Sequence, residues 1–297
     1  MIEISGTSFH WDELIDHIFV SNKGRQILKE LDNSLTVYRY STFQNLETTI
    51  LIREHIMDAA KKLNNSHVSF ATFENTRANT VFWAVTEQGG LHLKKGVKPS
   101  AAISDIFKNG YEYAFECATA MIIIYYYALL QYLGTETFNN YFQNLYLYSW
   151  FTDSDLVLKI VTDTDPIPGD VIYFDNPDNL EPQWQGENAV YLGDGLYYGH
   201  GMGILSAKEM IKRLNTLGES DKEDAHMLDS IVRPSFRHWI SLTQRNHLND
   251  GMAPNRAILY DSACHHNQPS ISYNYYCFLV KLQISDNVKV TINYILD

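Results

Sequence analysis

The chain has 297 residues, 45% of them apolar and 20% charged, a composition that excludes a disordered or fibrous protein and leaves room for one large domain or two small ones. Its 23 Lys and Arg against 35 Asp and Glu give a formal net charge of −12. The basic residues form no run longer than a pair, as at Lys61-Lys62 and Lys94-Lys95, so nucleic-acid binding, which needs clustered cations against phosphates, is excluded. Residues 1–6 carry no basic segment ahead of an apolar run, and the longest apolar run, 118–130, is shorter than the ~18 residues of a membrane span. Neither a secretory leader nor a membrane segment is expected. Three cysteines at irregular spacing, Cys117, Cys264 and Cys277, then predict free thiols in a reducing compartment rather than a disulfide framework.

In chain order, residues 45–63 read as an amphipathic helix, with Leu46, Ile50, Met57, Ala60 and Leu63 on one face. Residues 69–85 turn strand-like around a polar turn at 75–79. Residues 100–108 predict a short helix closed by Asn109-Gly110. Beyond it, Glu112 and Glu116 suit the positive end of a helix dipole, and the run that follows is apolar on every face. That pattern predicts a central buried helix with Cys117 in or beside its first turn. Residues 171–174 read as a strand, 188–192 and 196–200 as a hairpin around Asp194-Gly195, and 206–217 as a helix. Residues 241–297 differ: a polar stretch rich in Asn and His, then alternation at 276–280 and 288–292 that predicts a β-hairpin. A subdomain boundary near 240 follows, with 1–240 as the main unit and 241–297 as an extension.

Cys117 is the first candidate for chemistry. Unpaired backbone N–H groups at a helix start lower a thiol's pKa and can receive an oxyanion. Position alone still favours a packing role, because free cysteine is among the most buried residues. The second candidate is the block from Trp184 to Gly201, which contains Glu187, Asn188 and His200. With a two-residue loop at Asp194-Gly195, Ala189 would face His200, and Glu187 and His200 would be diagonal neighbours at ~7–8 Å. Without the cysteine, Glu187 reads as an exposed strand-end charge and His200 as an ordinary edge residue. The glycines at 199, 201 and 203 lack the setting of a dinucleotide fingerprint and read as a tight bend. Cys264-His265-His266 and Glu54-His55 lack metal-ligand spacing, and no metal is expected.

The segments 113–120, 184–188, 199–205 and 70–73 resemble the Bacillus spore-coat transglutaminases, over the chain from its start to about residue 240. More distantly, a cysteine on a helix, then Pro168-Gly169-Asp170-Val171 and the hairpin after it, is similar to the papain-like cell-wall endopeptidases, which place a histidine where this chain has Glu187. The resemblance implies an α+β fold with a papain-like core, a buried nucleophile-bearing helix packed on an antiparallel sheet. It implies acyl transfer from a protein glutamine to a lysine through a thioester on Cys117, with Glu187 moving the proton and Glu116 in a supporting role. No cofactor is implied. A carboxylate repels a resting thiolate, so a neutral Cys117–Glu187 pair is expected. Successive helical residues point about 100° apart, so Glu116 is not expected to replace Glu187. His200 and Asn188 are expected to orient or line the site. Phe70, Trp150 and Trp184 are expected as aromatic walls against water, although each also reads as a core aromatic. The implied partners are spore-coat proteins bearing Gln and Lys, with synthesis in the cytoplasm of the sporulating mother cell and residence in the coat. Two rival readings stay open: a cell-wall peptidase or amidase on the same scaffold, and a non-enzymatic coat protein with a vestigial pocket.

Overall fold

The structure, a computed structural model, describes residues 1–218 and 224–243, and the backbone of 264–266 and 268–271. It opens with β1 (Ile2–Ile4), β2 (Thr7–Phe9), the single turn α1 (Trp11–Leu14), α2 (Asn22–Asn33), β3 (Tyr38–Tyr40) and the long helix α3 (Phe43–Asn64). Short pieces follow: β4 (Ser69–Phe70), a 3₁₀ turn at Phe73–Asn75, β5 (Trp83–Val85), β6 (Leu91–Leu93), α4 (Pro99–Lys108), a 3₁₀ turn at Gly110–Glu112 and β7 (Ala114–Phe115). Next come α5 (Cys117–Leu133), α6 (Thr135–Tyr141), β8 (Tyr146–Leu147), β9 (Leu158–Val161), β10 (Val171–Asp175), β11 (Gly186–Gly193) and β12 (Leu196–Gly199). The chain continues through β13 (Gly203–Ser206), α7 (Ala207–Thr216), β14 (His226–Pro234), α8 (Phe236–Leu242), β15 (Cys264–His266) and β16 (Gln268–Ile271).

Apolar residues on all sides make α5 a core helix, and of its residues only Gln131 and Tyr132 escape full burial. Glu116 caps its start by accepting from the Ala118 N–H, and Gly134 at φ 77 ends it. The helix α3 packs beside it, started by Thr42, whose hydroxyl accepts from the Asn45 N–H, and closed by Lys61 and Lys62 at the negative end of its dipole. Both lie under one face of a six-stranded sheet in the order β13-β12-β11-β10-β14-β9, antiparallel at each junction. Val190, Leu192 and Tyr198 point to the α3/α5 core, whereas Phe174, Ala189, Tyr191 and Tyr197 pack with Met210 and Leu214 of α7 on the other face. The expected α+β class, a buried helix on an antiparallel sheet, is what the chain adopts. No helix among the described residues is long and apolar enough to cross a membrane.

Several expectations need correction. The strand-like stretch at 69–85 divides between two sheets: β4 runs parallel to β7, and β5 joins β6. Glu112 lies in the 3₁₀ turn before β7, outside the central helix. The hairpin β11–β12 does pair Gly193 with Leu196, but a bulge between Tyr191 and Gly193 then sets Ala189 opposite Gly199 rather than His200. Gly193 and Asp194 both take positive φ (85 and 52), which admits the extra residue and moves every pairing beyond it by one. By the two-residue period of a strand, Glu187 shares the α7 face with Ala189, and Asn188 shares the α5 face with Val190. The segment 264–266, set aside above as a metal site, pairs as a strand with 268–271, because ladder hydrogen bonds are main-chain bonds that polar side chains do not forbid. Residue 240 falls in α8, whose Trp239 and Leu242 are buried and whose Trp239 indole donates to Leu156 O at 2.7 Å. The hairpin expected at 276–292 lies outside the described residues.

Candidate active site

Cys117 opens α5, so its backbone N–H is one of those at a helix start with no intrahelical partner. The residue is 2% exposed. Its thiol donates to Glu116 Oε1 at 2.8 Å, and Asn188 Nδ2 donates to its sulfur at 3.4 Å. The other oxygen of Glu116 accepts from the Ala118 N–H at 2.8 Å. Glu116 therefore reaches the sulfur because it is extended (φ −82, ψ 160), not helical. The 100° separation expected between it and Cys117 does not apply.

Glu187, 2% exposed, reaches the site from β11. Its side chain lies so close over Gly199 that a Cβ there would stand 2.9 Å from Glu187 Cγ and 3.0 Å from Oε1, so glycine is what lets the carboxyl settle. Oε1 has no hydrogen-bond partner among the described residues. Burial pushes the Glu187 carboxyl well above the usual range, the charge of Glu116 adds to this, and the His200 backbone N–H opposes it. Burial likewise pushes the Cys117 thiol up, reinforced by the charges of Glu116 and Glu187 and by the bond to Glu116, with Asn188 pulling the other way. Both groups favour their neutral forms, in line with the neutral pair expected from the sequence. The Cys117 thiol senses the charge of Glu187, but the hydrogen bond to the sulfur belongs to Glu116.

These shifts make a sign-specific prediction. Alkylation of Cys117 by iodoacetamide should rise with pH only above the ordinary cysteine range, and Glu187→Gln should move that rise to lower pH, because no second carboxylate can then form beside the sulfur as the pH is raised. An unmoved profile would mean that the Glu187 charge does not reach the sulfur.

His200 is buried, stacks on Phe115 (centroids 5.1 Å apart) and bridges two partners. Its Nε2 sits 3.2 Å from the Ser69 carbonyl, which can only accept, so the proton is on Nε2 and Nδ1 accepts from the Tyr198 hydroxyl at 3.2 Å. Burial pulls its pKa down to about 4, so it is neutral at physiological pH. It ties the β12–β13 turn to β4 and β7.

Of the three expected wall residues, two meet. Phe70 pairs with Phe115 across β4–β7 and stacks on Trp184, centroids 5.4 Å apart and planes 23° apart. Both rings are half-buried and join the Cys117 block to the Glu187 block. Trp150 is 5% exposed in the main core, on a segment fixed to α5 by the Ser149 N–H donating to Thr119 Oγ1 at 2.9 Å. Sequence reasoning missed Tyr173 and Tyr148. Burial raises the Tyr173 hydroxyl, and the charges of Cys117, Asp175, Glu116 and Glu187 raise it further. Burial, then Tyr146 and Glu116, push Tyr148 up to about 12. No local pattern marks either tyrosine among the chain's 20; only pairing with Asn188 brings Tyr173 here. No group of three or more metal-binding side chains occurs among the described residues.

Comparison with known proteins identifies the family. A model of the family described as protein-glutamine gamma-glutamyltransferase matches residues 1–243. A protein of that name from Halalkalibacterium halodurans is 40% identical over 284 residues, 93% of this chain and 96% of that one. Its namesake from Bacillus pumilus is 45% identical over 219 residues, 72% of this chain and 87% of the relative. Among solved structures, the transglutaminase from Geobacillus stearothermophilus without its C-terminal extension superposes with a TM-score of 0.64 at 44% identity, covering 69% of this chain and 99% of that one. With a relative of nearly equal length and a matching solved fold, the chain belongs to the protein-glutamine gamma-glutamyltransferase family and is an acyltransferase.

Proposed function

We propose that Cys117 is the nucleophile of this acyl transfer and that Glu116 is its immediate proton acceptor. The observation that carries the reading is the 2.8 Å bond from the Cys117 thiol to Glu116 Oε1 at a buried helix start. As the sulfur attacks a glutamine side-chain carboxamide, the thiol proton passes to Glu116. The tetrahedral oxyanion is received by the Cys117 backbone N–H and the Asn188 amide. Glu116 returns the proton to the departing nitrogen, ammonia leaves, and a thioester remains. A lysine amine then attacks, gives its proton to the carboxylate, and the reprotonated thiol is released from the isopeptide product. Glu187, the second buried carboxyl, holds a proton close to the sulfur for the step in which charge develops there. Phe70 and Trp184 wall the thioester from water.

Residues 1–240 form the catalytic unit in this reading, with 241–297 as an extension. The substrates are spore-coat proteins and the chain resides in the coat, a placement supported by the Bacillus relatives and by the resemblance in the residues around Cys117 and Glu187. Mass spectrometry after reaction with a glutamine peptide in the absence of amine tests the chemistry. The expected result is an acyl adduct on Cys117 with one ammonia lost, and no adduct in Cys117→Ala. Ammonia release by Cys117→Ala at the wild-type rate would overturn the assignment.

A further inference from the structure

Trp184 sits near the end of the connection between β10 and β11, residues 176–185, whose regular structure is one 3₁₀ turn, Pro182–Trp184. Connections of this kind are ordinarily mobile. This one is held from inside by two asparagines, Asn176 at 0% and Asn179 at 1% exposure. Asn176 Nδ2 donates to the Trp184 carbonyl at 2.9 Å and to the Leu214 carbonyl at 3.2 Å. Asn179 Nδ2 donates to the Leu217 carbonyl at 2.6 Å, while its Oδ1 accepts from the Glu181 N–H at 3.0 Å. The Asn179 carbonyl also accepts from Gln185 Nε2 at 3.0 Å.

Leu214 lies in the last turn of α7 and Leu217 just beyond it; the Leu214 carbonyl accepts from the Leu217 N–H at 3.2 Å and takes its second bond from Asn176. The connection therefore serves as the cap of α7. The contact is tight: at Gly218, φ 70, a Cβ would stand 2.5 Å from Asn179 Oδ1 and 3.0 Å from Trp184 Cδ1. Asn176 thus joins the Leu214 carbonyl of α7 to the carbonyl of Trp184, whose indole stacks on Phe70, while Asn179 ties the middle of the same connection to Leu217.

We propose that Asn176 and Asn179 are a latch that fixes the Trp184 connection to the end of α7, and that this latch sets how strongly the Cys117 thioester prefers an amine over water. The inference rests on the reading of Trp184 as a wall of the site. The thioester has two fates. Water adds a hydroxyl to the acyl carbon and yields a glutamate side chain and free thiol, while an amine yields a substituted amide and the same thiol. An alkylamine displaces the thiol through a gap that its stem fills, whereas water needs only a gap. A Trp184 free to swing therefore favours hydrolysis.

The test measures, by mass spectrometry, the share of a glutamine peptide that ends deamidated rather than joined to cadaverine at one fixed amine concentration. Asn179→Asp keeps the side chain's size and its Oδ1 but removes the donor to Leu217; Asn176→Ser removes both of that residue's bonds. Each is expected to raise the deamidated share by about three- to tenfold, as is Trp184→Ala. The double variant Trp184→Ala/Asn179→Asp should show no more than Trp184→Ala alone, since the latch acts through that ring. A raised share in Trp184→Ala with unchanged shares in both asparagine variants would overturn the latch and leave the wall standing. Additive effects in the double variant would also overturn it, since the asparagines would then act by another route. An unchanged share in Trp184→Ala would remove the wall and the latch with it. Should Asn179→Asp fail to fold, Asn176→Ser and Gly218→Ala, which presses a methyl against both Asn179 and Trp184, decide by the same criteria.

Discussion

Glu116→Gln is expected to lower kcat/KM for glutamine–lysine crosslinking by ~10²- to 10⁴-fold, the range of a lost general acid–base group. The substitution is selective. A glutamine Oε1 can still accept from the Ala118 N–H, as Glu116 does at 2.8 Å, so the helix start survives while the proton acceptor for Cys117 is gone. Glu116→Ala removes the cap as well and should lose ~0.5–2 kcal/mol of stability on top of the same kinetic loss. Steady-state rates paired with thermal melts separate the two effects. Glu187→Gln should cost less in rate, because no hydrogen bond joins Glu187 to the sulfur and its carboxyl is already held toward the neutral form. A larger loss from Glu187→Gln than from Glu116→Gln would mean that the proton goes to Glu187 after a rearrangement of the side chains.

Asp170→Asn is expected to destabilise the protein by ~3–5 kcal/mol, because it leaves two buried guanidiniums without their counterion. The Asp170 side chain is 0% exposed, with Arg53 at 2% and Arg233 at 13%. Asp170 Oδ1 accepts from Arg53 Nη1 at 3.0 Å and from Arg233 Nε at 2.9 Å, while Oδ2 accepts from Arg233 Nη2 at 2.5 Å and from the Ile167 N–H at 2.9 Å. Arg53 also lies over the Phe236 ring and Arg233 over the Tyr38 ring, at 4.5 and 5.5 Å. The cluster thus joins α3, β14, α8 and the amino-terminal β3. Urea titrations of wild type and variant check the expectation; a change under about 1 kcal/mol, the worth of an exposed pair, would mean that the cluster is solvated.

The same carboxyl gives a pH dependence. Burial pushes the Asp170 pKa up, but Arg233, Arg53 and the Ile167 N–H outweigh it, and the folded value lies below the ordinary 3.8. Its stabilising contribution is then fully present above the unfolded pKa and is lost as pH falls through the folded one. Stability measured from pH 5 downward should therefore decline more steeply in wild type than in Asp170→Asn.

The elements that depend on local pattern were legible residue by residue. The continuous apolar run after Cys117 could only be a buried helix, and the periodic apolar positions at 45–63 could only be one face of α3. Asp194-Gly195 marked a hairpin, and the residues around Cys117 and Glu187 carried enough family pattern to name the chemistry. What failed were inferences that required knowing a neighbour. One bulge at 192 moved His200 off the residue it was expected to face, since a strand's sides alternate and a slip of one exchanges them. The nine-residue strand β14, which lies between β10 and β9 and carries Arg233, went unread because its apolar residues come in adjacent pairs, Met227-Leu228 and Ile231-Val232, instead of the alternation that marks a half-buried strand.

The amino-acid order alone determined that this chain has a buried helix with a thiol at its head and the composition of a compact protein. Tertiary structure decided which carboxyl touches the sulfur, which rings meet across the site, and what holds those rings in place. The division has a physical cause. Helix and turn preferences are set by side chains within a few residues of one another, so they are written locally. The bond from Cys117 to Glu116 depends on the extended backbone at the end of β7, the place of Glu187 on the bulge in β11, and the Trp184–Phe70 stack on two asparagines bound to a helix some forty residues away.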